Sequence, residues 1–342
     1  MGSREEPSVI SAEQAAKGSA TAGEGRAVHF AGQAVATRDA YGAALLELGK
    51  RDPRVVVLDA DLSGSTKTAK FAKAFPERFF NMGIAEQDLV GTAGGLALTG
   101  KIPFASTFAI FATGRAWEQI RQTLCYSHLN VKLVATHAGI TVGEDGASHE
   151  ALEDIAITRV IPGMTVIVPA DGYETQQVID AMPGYEGPVY VRLGRAKVPP
   201  VLPDEYRFRI GKAHVFSLGR DVTFIAAGIM VAKALEARDI LAKQGIDAGV
   251  VNMSTIKPLD TDALLAAAQR SRLIVTAEEH SVVGGLGGAV AEFLAEAHPL
   301  PVRRVGVQDT FGCSGSPDEL LKLFGLTAEN LVETVTGFMK PA

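Results

Sequence analysis

From about Arg54 onward, short β-branched apolar runs alternate with longer stretches of helical period, and that alternation is the mark of βαβ units around a parallel sheet. Strands are predicted at Val55–Leu58, Ile102–Ala105, Val131–Ala135, Thr165–Val168 and Val189–Arg192. Helices are predicted between them at Ala85–Leu98, Ile110–Ser127, Glu150–Val160 and Gly172–Ala181. A second set follows, with strands at Val222–Ala226, Ala248–Asn252, Leu273–Thr276 and Val302–Val307. Helices around Val231–Gln244, Asp260–Ser271 and Gly287–His298 separate those strands. The chain reads as two α/β domains.

The junction is expected at 197–209, where Val198-Pro199-Pro200-Val201-Leu202-Pro203 carries three prolines that lack backbone donors. That gives an N-terminal arm over 1–35, a first domain over 36–196, an extended linker, and a second domain over 210–342. A length of 342 residues, at roughly 100–200 per domain, fits that division. Asp260 after Pro258, and Ser316 before Pro317, are placed to start helices.

Composition excludes several classes. A hydrophobic fraction of 47% with 21% charged residues argues against disorder, and 6% aromatics imply cores of Ala, Val, Leu and Ile. Cys125 and Cys313 form no CxxC pair, so neither a disulfide framework nor a structural zinc site is expected, and a reducing, cytoplasmic setting is. No apolar run approaches the ~20 residues of a membrane span. A net charge of −6 without a Lys/Arg cluster offers no footprint for nucleic acid. The first 35 residues are small and polar and lack the apolar centre of a secretory signal.

Three stretches bear on chemistry. Asn81-Met82-Gly83-Ile84-Ala85-Glu86-Gln87 puts Glu86 in the first turn of an apolar helix, where the helix dipole alone favours a carboxylate. His137 and His149 flank a Gly-rich acidic loop, Gly143-Glu144-Asp145-Gly146, after a predicted strand, the place where open α/β sheets bind ligands. The same loop reads equally as a solvated turn with Ser148 capping the next helix. Phe108 and Phe111 share a helix face, an arrangement that most often is core. Gly284-Gly285-Leu286-Gly287-Gly288 lacks the GxGxxG spacing and is expected to be a close-packing turn.

Read together, these stretches resemble the C-terminal half of transketolase, from about Ala36 to Glu333. The resemblance rests on Ala36-Thr37-Arg38, Asp59-Ala60-Asp61-Leu62, Gly83-Ile84-Ala85-Glu86-Gln87, Ser106-Thr107-Phe108, the His137-to-His149 loop and Ser254-Thr255-Ile256-Lys257-Pro258-Leu259-Asp260. It implies two three-layer α/β domains with mainly parallel sheets, a pyrimidine-binding domain and a C-terminal domain. It also implies thiamine diphosphate as cofactor. Glu86 then resembles the glutamate that hydrogen-bonds the aminopyrimidine ring, a carboxyl group that shares a proton with a ring nitrogen in a poorly solvated pocket. Phe108 and Phe111 resemble the rings set against the pyrimidine, with Phe111 expected to stack on it directly. Asp61 resembles a residue close to cofactor and substrate. Asp145 and His149 resemble groups that hold sugar hydroxyls, and Arg38, Ser65, His137 and Arg195 the donors to a sugar phosphate. Arg192 aligns as well as Arg195. Ala138 and Ala147 depart from the family, which carries Asp and Pro there.

Nothing upstream of Ala36 resembles the GDG…N pattern that holds Mg²⁺ (or Ca²⁺) and diphosphate, and GEDG at 143–146 is not that motif. The resemblance therefore implies the C-terminal subunit of a split transketolase, inactive without an N-terminal partner that binds diphosphate and metal, in an α2β2 heterotetramer. No metal ligands are assigned to this chain. The alternatives are a deoxyxylulose-phosphate-synthase-like enzyme, a 2-oxoacid-dehydrogenase β-subunit-like enzyme, and a non-catalytic assembly module.

Overall fold

The computed structural model describes residues 30 and 32–340, so the arm expected over 1–35 lies almost wholly outside the described residues. Seven strands form the first sheet, in the order Thr255–Lys257, Thr165–Ile167, Val189–Arg192, Lys132–Ala135, Ile102–Ser106, Val55–Asp59 and Phe79–Asn81. All neighbours are parallel except Thr255–Lys257, which runs antiparallel to Thr165–Ile167. Parallel strands are covered on both faces, which is why they read as unbroken apolar runs. Val55 and Val57 enter one core with Tyr41, Leu45 and Phe104, while Val56 and Leu58 enter another with Leu89, Ile120 and Leu133.

The second sheet has five strands, in the order Val302–Val307, Leu273–Ser281, Val222–Ala226, Ala248–Asn252 and His214–Ser217, with only the last antiparallel. Phe224, Val250 and Val275 face a core closed by Leu331 and Val335 of the Ala328–Met339 helix. Ile225, Val251 and Ile274, on the other face, belong to the same apolar cluster as Val56 and Leu133. The molecule is thus two three-layer α/β units with mainly parallel sheets, joined through a shared core. The Thr255–Lys257 strand strengthens the join by adding an edge to the first sheet, and the Lys257 ammonium donates to the carbonyls of Arg159 and Ile161.

Between the units the proline segment beyond Val198 forms neither helix nor strand, yet it is clamped. Lys197–Val198 pairs with Val35–Ala36, and Leu202, Tyr206 and Phe208 are buried. The Asp171 carboxylate accepts from the backbone of Val201 and Leu202, while buried Glu174 accepts from the Tyr206 hydroxyl and the Asn252 amide. Asp260 caps the Thr261–Arg270 helix through Ala263, and Ser316 with Glu319 forms a capping box behind Pro317.

Some elements differ from expectation. The helix over Ile110–Ser127 is broken into two wide π-type segments, Phe111–Arg115 and Ile120–Tyr126, around Trp117–Gln119. The helix expected from Glu150 begins at Asp154, so Ser148 caps nothing; its hydroxyl bonds His149 Nδ1 instead. The Thr37–Arg51 helix, the Phe79–Asn81 strand and the two antiparallel edge strands lacked a clear sequence signal. Gly284-Gly285 is the close-packing turn expected: a Cβ on Gly285 would lie 2.1 Å from the Glu278 carboxylate, which accepts from Leu286 and Gly287.

Candidate functional site

The candidate residues collect where an open α/β sheet leaves its crevice, beyond the carboxyl ends of its strands. Asp61 and Ser65 follow the Val55–Asp59 strand, Phe108 and Phe111 follow Ile102–Ser106, His137 follows Lys132–Ala135, and Arg195 follows Val189–Arg192. Glu86 opens the Glu86–Leu98 helix after Phe79–Asn81, and Arg38 lies in the first turn of Thr37–Arg51.

One half of the site joins Glu86 and Arg115 to the rings of Phe108, Phe111 and His149. The Glu86 residue is 4% exposed, and its Oε1 accepts from Arg115 Nη1 at 2.9 Å. The Arg115 guanidinium lies 4.3 Å from the Phe111 ring centre. Phe108 and Phe111 stack with centroids 5.8 Å apart and planes 13° off parallel, and His149 meets Phe111 edge-on at 5.4 Å. Phe108 is 6% exposed, and Phe111 is half-buried with the Arg115 guanidinium over its ring.

The other half is cationic. Arg38 Nη1 donates to the Ser65 carbonyl at 3.2 Å and to His137 Nε2 at 2.9 Å. His137 also bonds Thr136 Oγ1 at 2.8 Å and stacks on Phe108 at 3.8 Å, which links the two halves. Burial and the neighbouring charges of Arg38, Arg195 and Lys67 push the imidazole down to about 3, so it is neutral. Arg195 donates to the Val142 carbonyl and pairs with Glu144 at 3.4 Å and Asp145 at 3.6 Å. Arg192 is elsewhere, buried on Asp154 and on the carbonyls of Ala151 and Glu279, so Arg195 is the arginine that faces the crevice.

The loop between the histidines is braced by the second unit. Gly139 has a φ of +81°, and a Cβ there would stand 2.3 Å from Glu279, whose Oε1 accepts from Thr141 N at 2.7 Å. Asp61, at φ +61°, accepts from the Asn81 amide at 2.9 Å and makes no direct bond to either half. Ser65 offers Arg38 its carbonyl rather than its hydroxyl.

Sequence reasoning missed three residues. Asp59, fully buried, gathers Leu62 N, Thr66 Oγ1 and Thr68 Oγ1 and so shapes the turn that presents Asp61 and Ser65. Its place as the last polar residue of an apolar strand was the available signal. Arg115 gave none, because its partner Glu86 lies 29 positions away in another helix. Glu150 is 3% exposed with neither carboxylate oxygen hydrogen-bonded, and a Cβ on Gly312 would lie 1.6 Å from it.

Two family models match the chain: "Transketolase, pyrimidine binding domain" over residues 33–200 and "Transketolase, C-terminal domain" over 211–331. A "putative transketolase C-terminal section" from Methanocaldococcus jannaschii is 53% identical over 306 residues, covering 89% of this chain and 96% of that protein. A "6-deoxy-6-sulfo-D-fructose transketolase subunit" from a Clostridium species is 44% identical over 295 residues, covering 86% and 92%. The solved structure of a "split gene transketolase, inactive beta4 tetramer" superposes with a TM-score of 0.83 at 56% identity, covering 89% of this chain and 98% of that one. Both models in the same order, and relatives matched nearly end to end, show that the chain belongs to the transketolase family and carries its pyrimidine-binding and C-terminal domains.

Proposed function

We propose that the chain is the C-terminal subunit of a thiamine-diphosphate-dependent transketolase that moves a two-carbon ketol unit from a ketose phosphate to an aldose phosphate. The observation that carries this reading is the juxtaposition of a ring seat and an anion site in one crevice, Glu86 with Phe111 on one side and Arg38 with Arg195 on the other.

The residues fit the cofactor's aminopyrimidine. A flat ring laid on Phe111 in place of the Arg115 guanidinium would have the Glu86 carboxylate as its hydrogen-bonding partner. When bound, the cofactor supplies the carbon that carries the two-carbon unit. Glu86 holds and moves a proton at the ring nitrogen. Phe111 and Phe108 fix the ring plane. His149, with Nδ1 tied to Ser148, turns Nε2 toward sugar hydroxyls, where Asp145 joins it. Asp61 lines the cofactor and substrate side of the crevice. Arg38 and Arg195 supply the charge for a terminal phosphate; Ser65 and His137 hold Arg38 in place.

The diphosphate and its Mg²⁺ or Ca²⁺ are assigned to a separate N-terminal subunit, in an α2β2 complex. Relatives described as a C-terminal section, a subunit and a split-gene product, each matched over more than nine tenths of its length, support that assignment. The test is reconstitution with an N-terminal subunit, thiamine diphosphate and Mg²⁺, followed by ketol transfer between sugar phosphates. Transfer by this chain alone overturns the subunit reading, and consumption of pyruvate in place of a ketose phosphate overturns the substrate class.

A further inference from the structure

Arg115 sits between the two groups that define the ring seat. Its Nη1 donates to Glu86 Oε1 at 2.9 Å, and its guanidinium carbon lies over Phe111, 4.3 Å from the ring centre. A planar cation over a phenyl ring that also hydrogen-bonds a carboxylate makes the two contacts an aminopyrimidine would make there. The two cannot lie on the same ring face together.

Arg115 is also built to move. Its backbone is pinned, since the carbonyl accepts from Gln87 Nε2 at 3.2 Å, in the first turn of the Glu86 helix. Its side chain is 51% exposed, whereas that of Glu86 is 5% exposed. Rotation about the stem carries the guanidinium into solvent without disturbing the wide Phe111–Arg115 turn. Glu86 has no such freedom.

We propose that Arg115 is a gate on the cofactor's ring seat: it occupies Glu86 and Phe111 and swings out when the pyrimidine enters. This rests on the thiamine-diphosphate reading above. Arg115 holds Glu86 and Phe111 in register and keeps other flat cations and water off them, and the cofactor must outcompete it. The apparent affinity is then lowered by the fraction of time the seat is open.

The experiment measures the equilibrium and association rate of thiamine diphosphate binding, with Mg²⁺, to the complex with the N-terminal subunit, by calorimetry and stopped-flow fluorescence. Arg115→Ala is expected to bind about five- to tenfold tighter, with faster association, and Arg115→Lys to fall between the two, since it keeps charge but not the flat stack. Melting curves of both variants within about 2 °C of the wild type show that the fold is intact. Unchanged or weaker binding by Arg115→Ala overturns the gate, the weaker result making Arg115 part of the cofactor's own grip. A wild-type complex that binds no thiamine diphosphate overturns the reading beneath it instead.

Discussion

Arg38 donates to Nε2 of His137, and that bond fixes the tautomer of the imidazole. A guanidinium has no acceptor, so Nε2 is the bare nitrogen and the proton sits on Nδ1, where it is donated to Thr136 Oγ1. His137 is a neutral spacer that aims Arg38. Replacing Arg38 by Ala should therefore raise KM for a phosphorylated donor roughly ten- to a hundredfold, the worth of a hydrogen bond to a charged group. An unphosphorylated ketol donor should lose little. Equal losses with both donors would remove Arg38 from the phosphate. In nitrogen NMR the His137 ring should not titrate between pH 5 and 9, since its value is held to about 3.

Glu86 carries a different burden. Glu86→Gln keeps volume and one hydrogen bond but cannot pass a proton, so kcat of the reconstituted complex should fall about 10²- to 10⁴-fold. Glu86→Ala should fall at least as far. The removed side chain faces a crevice rather than a core, and the melting temperature should stay within a few degrees. A variant that keeps more than a tenth of the activity would take the proton-relay role away from Glu86.

Much of the fold was legible because parallel strands buried on both faces are unbroken apolar runs, and because Asp260, Ser316 and Pro317 mark helix starts by their own chemistry. The Thr37–Arg51 helix was not, since packing forces two poor helix formers into it. A Cβ on Gly42 would meet Lys67 at 2.5 Å, and one on Gly49 would meet Phe71 at 2.4 Å. Thr255–Lys257 has no periodicity in three residues; its strand state comes from a partner in the other unit. In the site, loop position after a strand pointed to His137 and His149, whereas Glu86 stood out only through the family resemblance. Arg115 stayed hidden because an i, i+4 neighbour of Phe111 is unremarkable in a helix, and its bond to Glu86 spans 29 positions of sequence.

Glu150 makes stability depend on pH in a stated direction. Burial and the nearby Glu279 charge push its carboxyl up to about 7 from an ordinary value of 4.5. The folded chain thus binds that proton more tightly than the unfolded chain does, and this contribution is complete below about pH 4.5 and is lost as pH rises toward 7. Glu150→Gln removes the dependence. The melting temperature of the variant should exceed that of the wild type by roughly 2–4 °C at pH 8 and should match it at about pH 4. Other groups titrate in the same range, so the difference between the two proteins is the quantity to follow. The same offset at both pH values would show that packing, not the charge, is at issue.

Arg192 and Arg195, which the sequence could not separate, should fail in opposite ways. Arg192 and Asp154 are 5% and 1% exposed, joined by Nε to Oδ2 at 2.7 Å, with Tyr190 Oη on the same oxygen at 2.6 Å. Removing one partner of a buried pair leaves the other charge without water or a counterion, so Arg192→Ala should cost about 3–5 kcal/mol of stability. The double change Arg192→Met with Asp154→Leu should recover much of it, because the loss comes from the stranded charge. Arg195 is a third exposed, and its partners Glu144 and Asp145 are solvated, so Arg195→Ala should change stability by less than about 1 kcal/mol. Its effect should appear in KM for sugar phosphates. Urea unfolding of each variant, set beside KM for a phosphorylated donor, distinguishes the two: an unstable Arg195→Ala with unchanged KM would put both arginines in the scaffold and leave Arg38 as the phosphate's main charge.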